Sequence, residues 1–560
     1  MIRRFFIHLA LIFIFIGVSW AVLFQHNLVH TATPITPKPS PPRFAIALVP
    51  LDSRPPCTDY VRQLAAMAEL HVSLPPAELL DNYRKPGDTT RLRNWLAQAA
   101  VRSAAAIISV DMLVHGGLLA SRQANDHHAD ASATIQLLRT IHREQPQVRL
   151  FAFNIIPRLF IADNPLTEKF KPLMSDWAML QETISIFENP ADLEKLRKLE
   201  AELPPELIER YRNLYRDNRQ LNSQLLELVQ EGTLAGLVLG QDDSAPFGLG
   251  NLERQWLDAV ISRSPVLQNK VFVTRGTDEV ALSLLGQVIA GTASYRNKVY
   301  VHYTEATTAD LILPYMPGPL SRTVAEKLAL GNAEQSRDFP SADYILVIHA
   351  GSARSRSADM AKSAALIKDW LSSGKQVALV DLAADWRTDQ TLLPFLQQNG
   401  APLNGLLAYA GWNTASNSIG TAVTQAAMVL SGNRAGSADT ALNRDLQRIS
   451  FLAERMLDDW YYQKSFRPIL NDSLQRQQIN PYDLQSARNK VNRRIELQLA
   501  GIFPHLVERQ WQNSLFALPT PAQGAYVIAN WRVAASLPWD RTFEIRLETI
   551  ALPAMLDERR

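Results

Sequence analysis

Residues 234–243 read LAGLVLGQDD. The apolar run has no polar alternation, which is the signature of a strand buried on both faces. It stops abruptly at an amide and two carboxylates, Gln241, Asp242 and Asp243. The same unit, a short apolar run ending in polar or glycine-rich residues and followed by a helix-compatible stretch, recurs along the chain. The runs are 45–49, 70–74, 105–110, 148–155, 234–239, 270–274, 298–303, 344–349, 376–380 and 405–409. Strands alternating with helices predict an α/β fold with parallel strands. Ten such runs fit either a (βα)8-barrel-like body with extra strands or two doubly wound sheets in tandem, and the barrel is the slightly favoured expectation.

Around this body the composition is that of a globular chain: 560 residues, 47% hydrophobic and 20% charged. A formal net charge of +2 leaves no basic excess for a phosphate backbone, so nucleic acid is not an expected partner. A single cysteine, Cys57, excludes an intrachain disulfide and a thiolate-rich metal site. Arg3 and Arg4 precede an apolar run over 5–24, long enough to cross a bilayer. Residues 1–30 are therefore expected to be a membrane anchor or signal, with the body in the periplasm or outside the cell. A cleaved signal would make the body a secreted protein. Residues 31–43 hold five prolines and predict an extended linker. The α/β body is expected over 44–435, with a helical insertion at 160–232 read as a hairpin, and a helical and β subdomain over 436–560.

Ligands of parallel α/β proteins collect at the carboxyl ends of strands. There the sequence places Asp52 and Arg54, Asp111, His115 and Arg122, Asn154 and Arg158, Asp242 and Asp243, Asp278, and Trp412 with Asn413. The adjacent carboxylates Asp242 and Asp243 are the sharpest feature. Mutual repulsion raises one pKa, which keeps an acid protonated for transfer to a glycosidic oxygen. Asp242 and Asp243 are the expected catalytic pair and the other ten the substrate-binding residues. Arg54, Arg122 and Arg158 suit carboxylate, phosphate or sulfate groups. An indole such as Trp412 suits a sugar face, and an amide such as Asn413 suits hydroxyl or N-acetyl groups. Gly116-Gly117 suggests positive φ or close backbone approach, and Asp278-Glu279 equally fit the first turn of a helix over 280–290. No phosphate loop, dinucleotide fingerprint, HExxH or GxSxG stretch occurs.

Six stretches carry a wider resemblance: PLDSRP (50–55), SVDMLVHGGLLASR (109–122), GQDDSAPFG (240–248), GTDE (276–279), YAGWNT (409–414) and LPWDRTFE (537–544). Through them the chain resembles the bacterial domain-of-unknown-function family 4127, which implies no activity of its own. Locally, the Asp-Asp pair with a downstream Trp-Asn is similar to the site plan of substrate-assisted N-acetylhexosaminidases. That likeness implies that Asp242 orients a 2-acetamido group and Asp243 is the acid. The expectation is an envelope glycoside hydrolase acting on a glycan without a cofactor. One alternative is a metal-dependent hydrolase with Asp52, Asp111, His115, Asp242 and Asp243 as ligands to a divalent ion. The other is a non-catalytic protein binding glycan or an anionic solute through Arg54, Arg122 and Trp412.

Overall fold

The computed structural model describes residues 32–37, 41–123, 128–159, 165–291, 295–508, 511, 516–517 and 525–556. The expected anchor, 1–30, lies outside them. Among the described residues no helix is long and apolar enough to cross a membrane. The first described element is a short strand, β1 (Ala32–Pro34).

The body holds two open parallel sheets. The first consists of β2 (Phe44–Val49), β3 (Leu70–Ser73), β4 (Ala105–Ser109), β5 (Arg149–Ile156), β6 (Gly236–Gln241) and β7 (Val271–Arg275), in the order β3-β2-β4-β5-β6-β7. The second consists of β8 (Asn297–Tyr303), β9 (Ala333–Ser336), β10 (Tyr344–Gly351), β11 (Val377–Ala383) and β12 (Ala408–Ala410), in the order β12-β11-β10-β8-β9. Each chain path steps out to one edge, β2 to β3 and β8 to β9, then crosses back past its first strand. This is double winding, with a switch point between β2 and β4 and another between β8 and β10.

The α/β class with parallel strands is therefore as the sequence predicts, but the barrel is not formed. Closure requires the last strand to pair with the first. Here β3 pairs only with β2, and β7 only with β6, among the described residues. The edge strands explain the opening. β3 (LHVS) and β9 (AEQS) put polar side chains on their outer faces, so they suit a sheet margin rather than a buried seam.

Alternate residues of β2 divide between two apolar layers. Ile46 and Leu48 face a central layer, while Ala47 and Val49 face an outer one. The central layer is shared by both sheets. It contains Ile107 and Phe153 from the first sheet, and Leu346 and Val380 from the second. Leu284 and Val288 of the helix Val280–Ala290, and Ile419 and Val423 of the helix Ala415–Ala435, lie between them. The two sheets thus fold as one body, because each covers an apolar face that the other leaves open.

The insertion between β5 and β6 is three helices, Pro165–Phe187, Pro190–Glu202 and Pro205–Gln230, one more than a hairpin. Asn189 caps the second, its Oδ1 accepting from the Ala191 amide, and Pro190 opens it. After β12 and the helix Ala415–Ala435 the chain continues as the helix Ala441–Arg455, a π-helical stretch Met456–Phe466 and the helix Arg467–Arg476. Three antiparallel strands end it: β13 (Phe516–Ala517), β14 (Ala525–Ser536) and β15 (Arg546–Leu556). β1 pairs with β15, Ala32 opposite Leu556 and Pro34 opposite Ala554. The proline-rich stretch is therefore not a free spacer throughout, because three of its residues complete this sheet. Ala441–Arg455 packs on β15 and on the helix Asp59–Met67, so the C-terminal part closes onto the start of the body.

Candidate functional site

A cleft of about 600 Å³ opens at the carboxyl ends of the first sheet. Its lining includes Arg54, Arg122, Arg158, Asp242, Asp243 and Asp278, with Trp412 and Asn413 facing them from the end of β12. Eight of the twelve sequence-predicted residues thus meet in one place.

Asp242 leaves β6 buried, with its Oδ2 accepting from Arg122 Nε at 3.0 Å and Nη2 at 2.6 Å. Its Oδ1 accepts from the Asp243 amide at 2.8 Å. Burial pushes this carboxyl up, but Arg122 and Arg158 more than offset it and hold it below the usual carboxylate range. Asp243 has a side chain 33% exposed and pairs with Arg158. Burial and the charge of Asp242 push its carboxyl up to about 6, with the two arginines opposing. Two neighbours along the chain thus have their pKa values pushed apart, and only below about pH 6 is Asp243 mostly protonated while Asp242 stays ionised.

Beside this pair lies a second cluster, centred on Arg54. Its Nη2 is 2.6 Å from Asp52 Oδ2 and 2.6 Å from Asp278 Oδ1, and its Nη1 is 3.2 Å from Glu544 Oε1. Burial works against this charge, and the three acids, Asp278 first, raise Arg54 well above its ordinary value. Asp278 Oδ2 accepts from Asn413 Nδ2 at 3.1 Å and Asn417 Nδ2 at 3.3 Å. Burial raises its carboxyl and Arg54 opposes. Trp539 Nε1 donates to Ser53 Oγ at 2.8 Å, and the guanidiniums of Arg54 and Arg541 lie over its ring.

Four predicted residues stand off the cleft. Asp52 is fully buried behind Arg54, which it holds through Arg54 Nε and the Arg54 amide, both at 3.0 Å. Asp111 accepts from the Ile155 amide at 2.9 Å. β4 ends opposite Phe153, so this amide lies beyond the ladder and the carboxylate takes the strand's place. Asn154 donates to Asn222 Oδ1 at 2.8 Å and ties the insertion to β5. His115 lines a separate depression with Ser121 and Leu221. Gly116 and Gly117 do take positive φ, but their close neighbours are Gly87 and Asp81 rather than the cleft. Asp278 and Glu279 precede the helix Val280–Ala290, and Asp278 faces Arg54 instead of the helix dipole.

The expected metal ligands are not brought together as a set. Asp52, Asp278 and Cys57 do have ligand atoms within 4.8 Å of one another. The guanidinium of Arg54, at 2.6 Å from both carboxylates, stands where a cation would bind. The residues present therefore do not fit a metal at that point.

Several cleft residues were not read from the sequence: Tyr315, Trp386, Gln463, Arg467, Tyr482 and Arg541. Arg541 and Glu544 lie within LPWDRTFE, so proximity to that stretch was their one available signal. Trp412 is only 6% exposed and presents little ring face, whereas Tyr315 and Tyr482 are 55% and 50% exposed. The open aromatic surface of the cleft is thus theirs. Tyr315, Trp386 and Asn413 have φ of 66°, 59° and 60°. Left-handed backbone at bulky aromatics is costly and gathers where a site demands it.

All six quoted stretches reach this region. PLDSRP, GTDE, YAGWNT and LPWDRTFE supply the Arg54 cluster, and the stretches 109–122 and 240–248 supply Arg122, Asp242 and Asp243. Fold and site together define a doubly wound, two-sheet α/β protein with a carboxylate–guanidinium cleft at its strand ends. The chain belongs to the family described as "Protein of unknown function (DUF4127)", whose model matches residues 46–548. No curated protein and no solved structure matches it.

Proposed function

We propose that the protein is a glycoside hydrolase acting on a glycan, with Asp243 as general acid/base and Asp242 as its ionised partner. One observation carries this reading: two adjacent carboxyls at the end of β6 have their pKa values pushed apart, and the one with the raised pKa faces a cleft large enough for a sugar. In the reaction Asp243 gives its proton to the glycosidic oxygen as the bond to the anomeric carbon breaks. Water adds to that carbon and returns a proton to the carboxylate. Asp242 stays negative and stabilises positive charge developing on the sugar; for an N-acetylated sugar it orients the acetamido group. Tyr315 and Tyr482 supply aromatic faces for the ring. With the apolar N-terminal run as an anchor, the enzyme would work in the cell envelope.

A panel of aryl glycosides tests the reading. Wild type is expected to release product from at least one member. Asp243→Asn is expected to lose on the order of 10²-fold or more on poor leaving groups, and less on activated ones. Equal turnover by the two proteins removes Asp243 from the mechanism. Binding without product on long incubation assigns the cleft to a receptor instead.

A further inference from the structure

We propose that the cleft takes a sugar bearing a single negative charge, a carboxylate or a sulfate ester, held by Arg467. The sugar part rests on the glycan reading above; the anion site rests on observations of its own.

Nearly every cation of the cleft is already balanced. Arg122 pairs with Asp242, Arg158 with Asp243 and Arg54 with Asp278. Arg275 pairs with Glu326, Arg541 with Glu544 and Lys171 with Glu168. Arg467 lines the same cleft and pairs with no carboxylate among the described residues. Its Nε is buried and has no hydrogen-bond partner. An orphan donor on a charged group is costly, so such groups ordinarily find an acceptor.

The guanidinium is also positioned in advance. It lies 4.9 Å from the centre of the Phe543 ring, which stands edge-on to Trp412 at 6.3 Å. The Phe543 carbonyl accepts from Gln463 Nε2 at 3.1 Å, and Tyr462 Oη donates to the Thr542 carbonyl at 2.7 Å. The π-helical stretch thus fixes the loop that carries the ring. A guanidinium over a ring keeps its in-plane N–H groups free, and the two Nη atoms, which unlike Nε are not buried, form a fork for two oxygens. With one unpaired guanidinium, and with Asp52, Asp278 and Glu544 outnumbering Arg54 and Arg541 beside it, the cleft suits a monoanion better than a phosphate dianion. The arginines named at the outset, Arg54 and Arg122, are already neutralised by their carboxylates, so the recognition of charge passes to Arg467.

The test reads binding, by quenching of tryptophan fluorescence in the full chain. The probes are D-glucuronate, D-glucose 6-sulfate and neutral D-glucose. At least one charged sugar is expected to bind on the order of 10- to 100-fold more tightly than glucose. Which of the two does so distinguishes carboxylate from sulfate. Added salt is expected to weaken the charged sugar and not the neutral one. Arg467→Gln is expected to abolish the preference, and Arg467→Lys, which keeps the charge and loses the fork, to retain part of it. Asp243→Asn, though slowed in turnover, is expected to keep or increase the preference, because it leaves Arg158 without its carboxylate, so loss of turnover and loss of anion recognition are separable. Equal affinity for charged and neutral sugars, no binding of either charged sugar, or an unchanged preference in Arg467→Gln overturns the proposal.

Discussion

Asp243 is a poor acid by composition and a good one by position. An exposed aspartate titrates near 3.9 and is ionised at neutrality. Partial burial and the neighbouring Asp242 charge lift it to about 6. The protonated form is the one that donates, so kcat/KM on an aryl glycoside is expected to fall as pH rises through about 6, close to tenfold per unit above it. Asp243→Asn should remove that limb, and a flat profile to pH 8 would count against the assignment. The residue types for this chemistry were visible as an Asp-Asp pair at a strand end. The likeness to N-acetylhexosaminidases already points to Asp243 as the acid, but the opposite directions of the two pKa shifts were not legible, because Arg122 and Arg158 from other segments contribute to them. Arg467 was invisible for a related reason: the lack of a partner is a property of the fold and leaves no trace in the local sequence.

Among the elements, those with apolar runs were legible and those without were not. β9 has the sequence AEQS and pairs through its backbone alone along the edge beside β8. A strand of that kind carries no hydrophobic period to detect. The π-helical stretch Met456–Phe466 was likewise unmarked, and wide helical turns of this sort collect at functional sites. Here it carries Gln463 to the cleft and leads directly into Arg467. The helix Leu320–Leu330 is tied to the end of β7 by Lys327, which is buried, pairs with Glu279 and donates to Thr274 Oγ1 at 2.8 Å. Removing one partner of a buried pair strands the other charge. Lys327→Met is therefore expected to cost about 3–5 kcal/mol by chemical denaturation. Adding Glu279→Gln should recover most of the loss, and a single variant as stable as wild type would show that the pair is not needed.

Over the whole molecule, burial has left several carboxyls protonated where an unfolded chain would ionise them. Asp111 and Glu454 are raised to about 7, and Asp459 and Asp243 to about 6, with desolvation the first cause in each. Between about pH 4 and 7 the folded protein holds protons that the unfolded chain has lost, so stability falls as pH rises through that window. His302, lowered by burial, works the other way below about 6.5, but Asp81, Asp278, Glu279 and Asp381 are raised as well, and the lowered carboxyls Asp242, Glu231 and Asp389 act only toward the acid end of the window. The melting temperature is expected to be higher at pH 5 than at pH 8, and Asp111→Asn, which keeps an acceptor for the Ile155 amide, should reduce the difference. A melting temperature that rises across this range would contradict the burial argument.

What the sequence by itself determined is the alternation of buried strands and helices, the parallel α/β class, the family, and the strand-end residues from which the cleft is built. These are local properties: a continuous apolar run, a stop, and a polar tip. Tertiary structure alone decided that the strands form two open sheets and not a barrel, since pairing at an edge depends on what covers each face. It also decided that Glu544 reaches Arg54 across 490 residues, and that Asp111 and Asn154 serve the backbone and the insertion instead of the cleft. Charge pairing acts through space over a few ångströms, whereas sequence spacing records only distance along the chain.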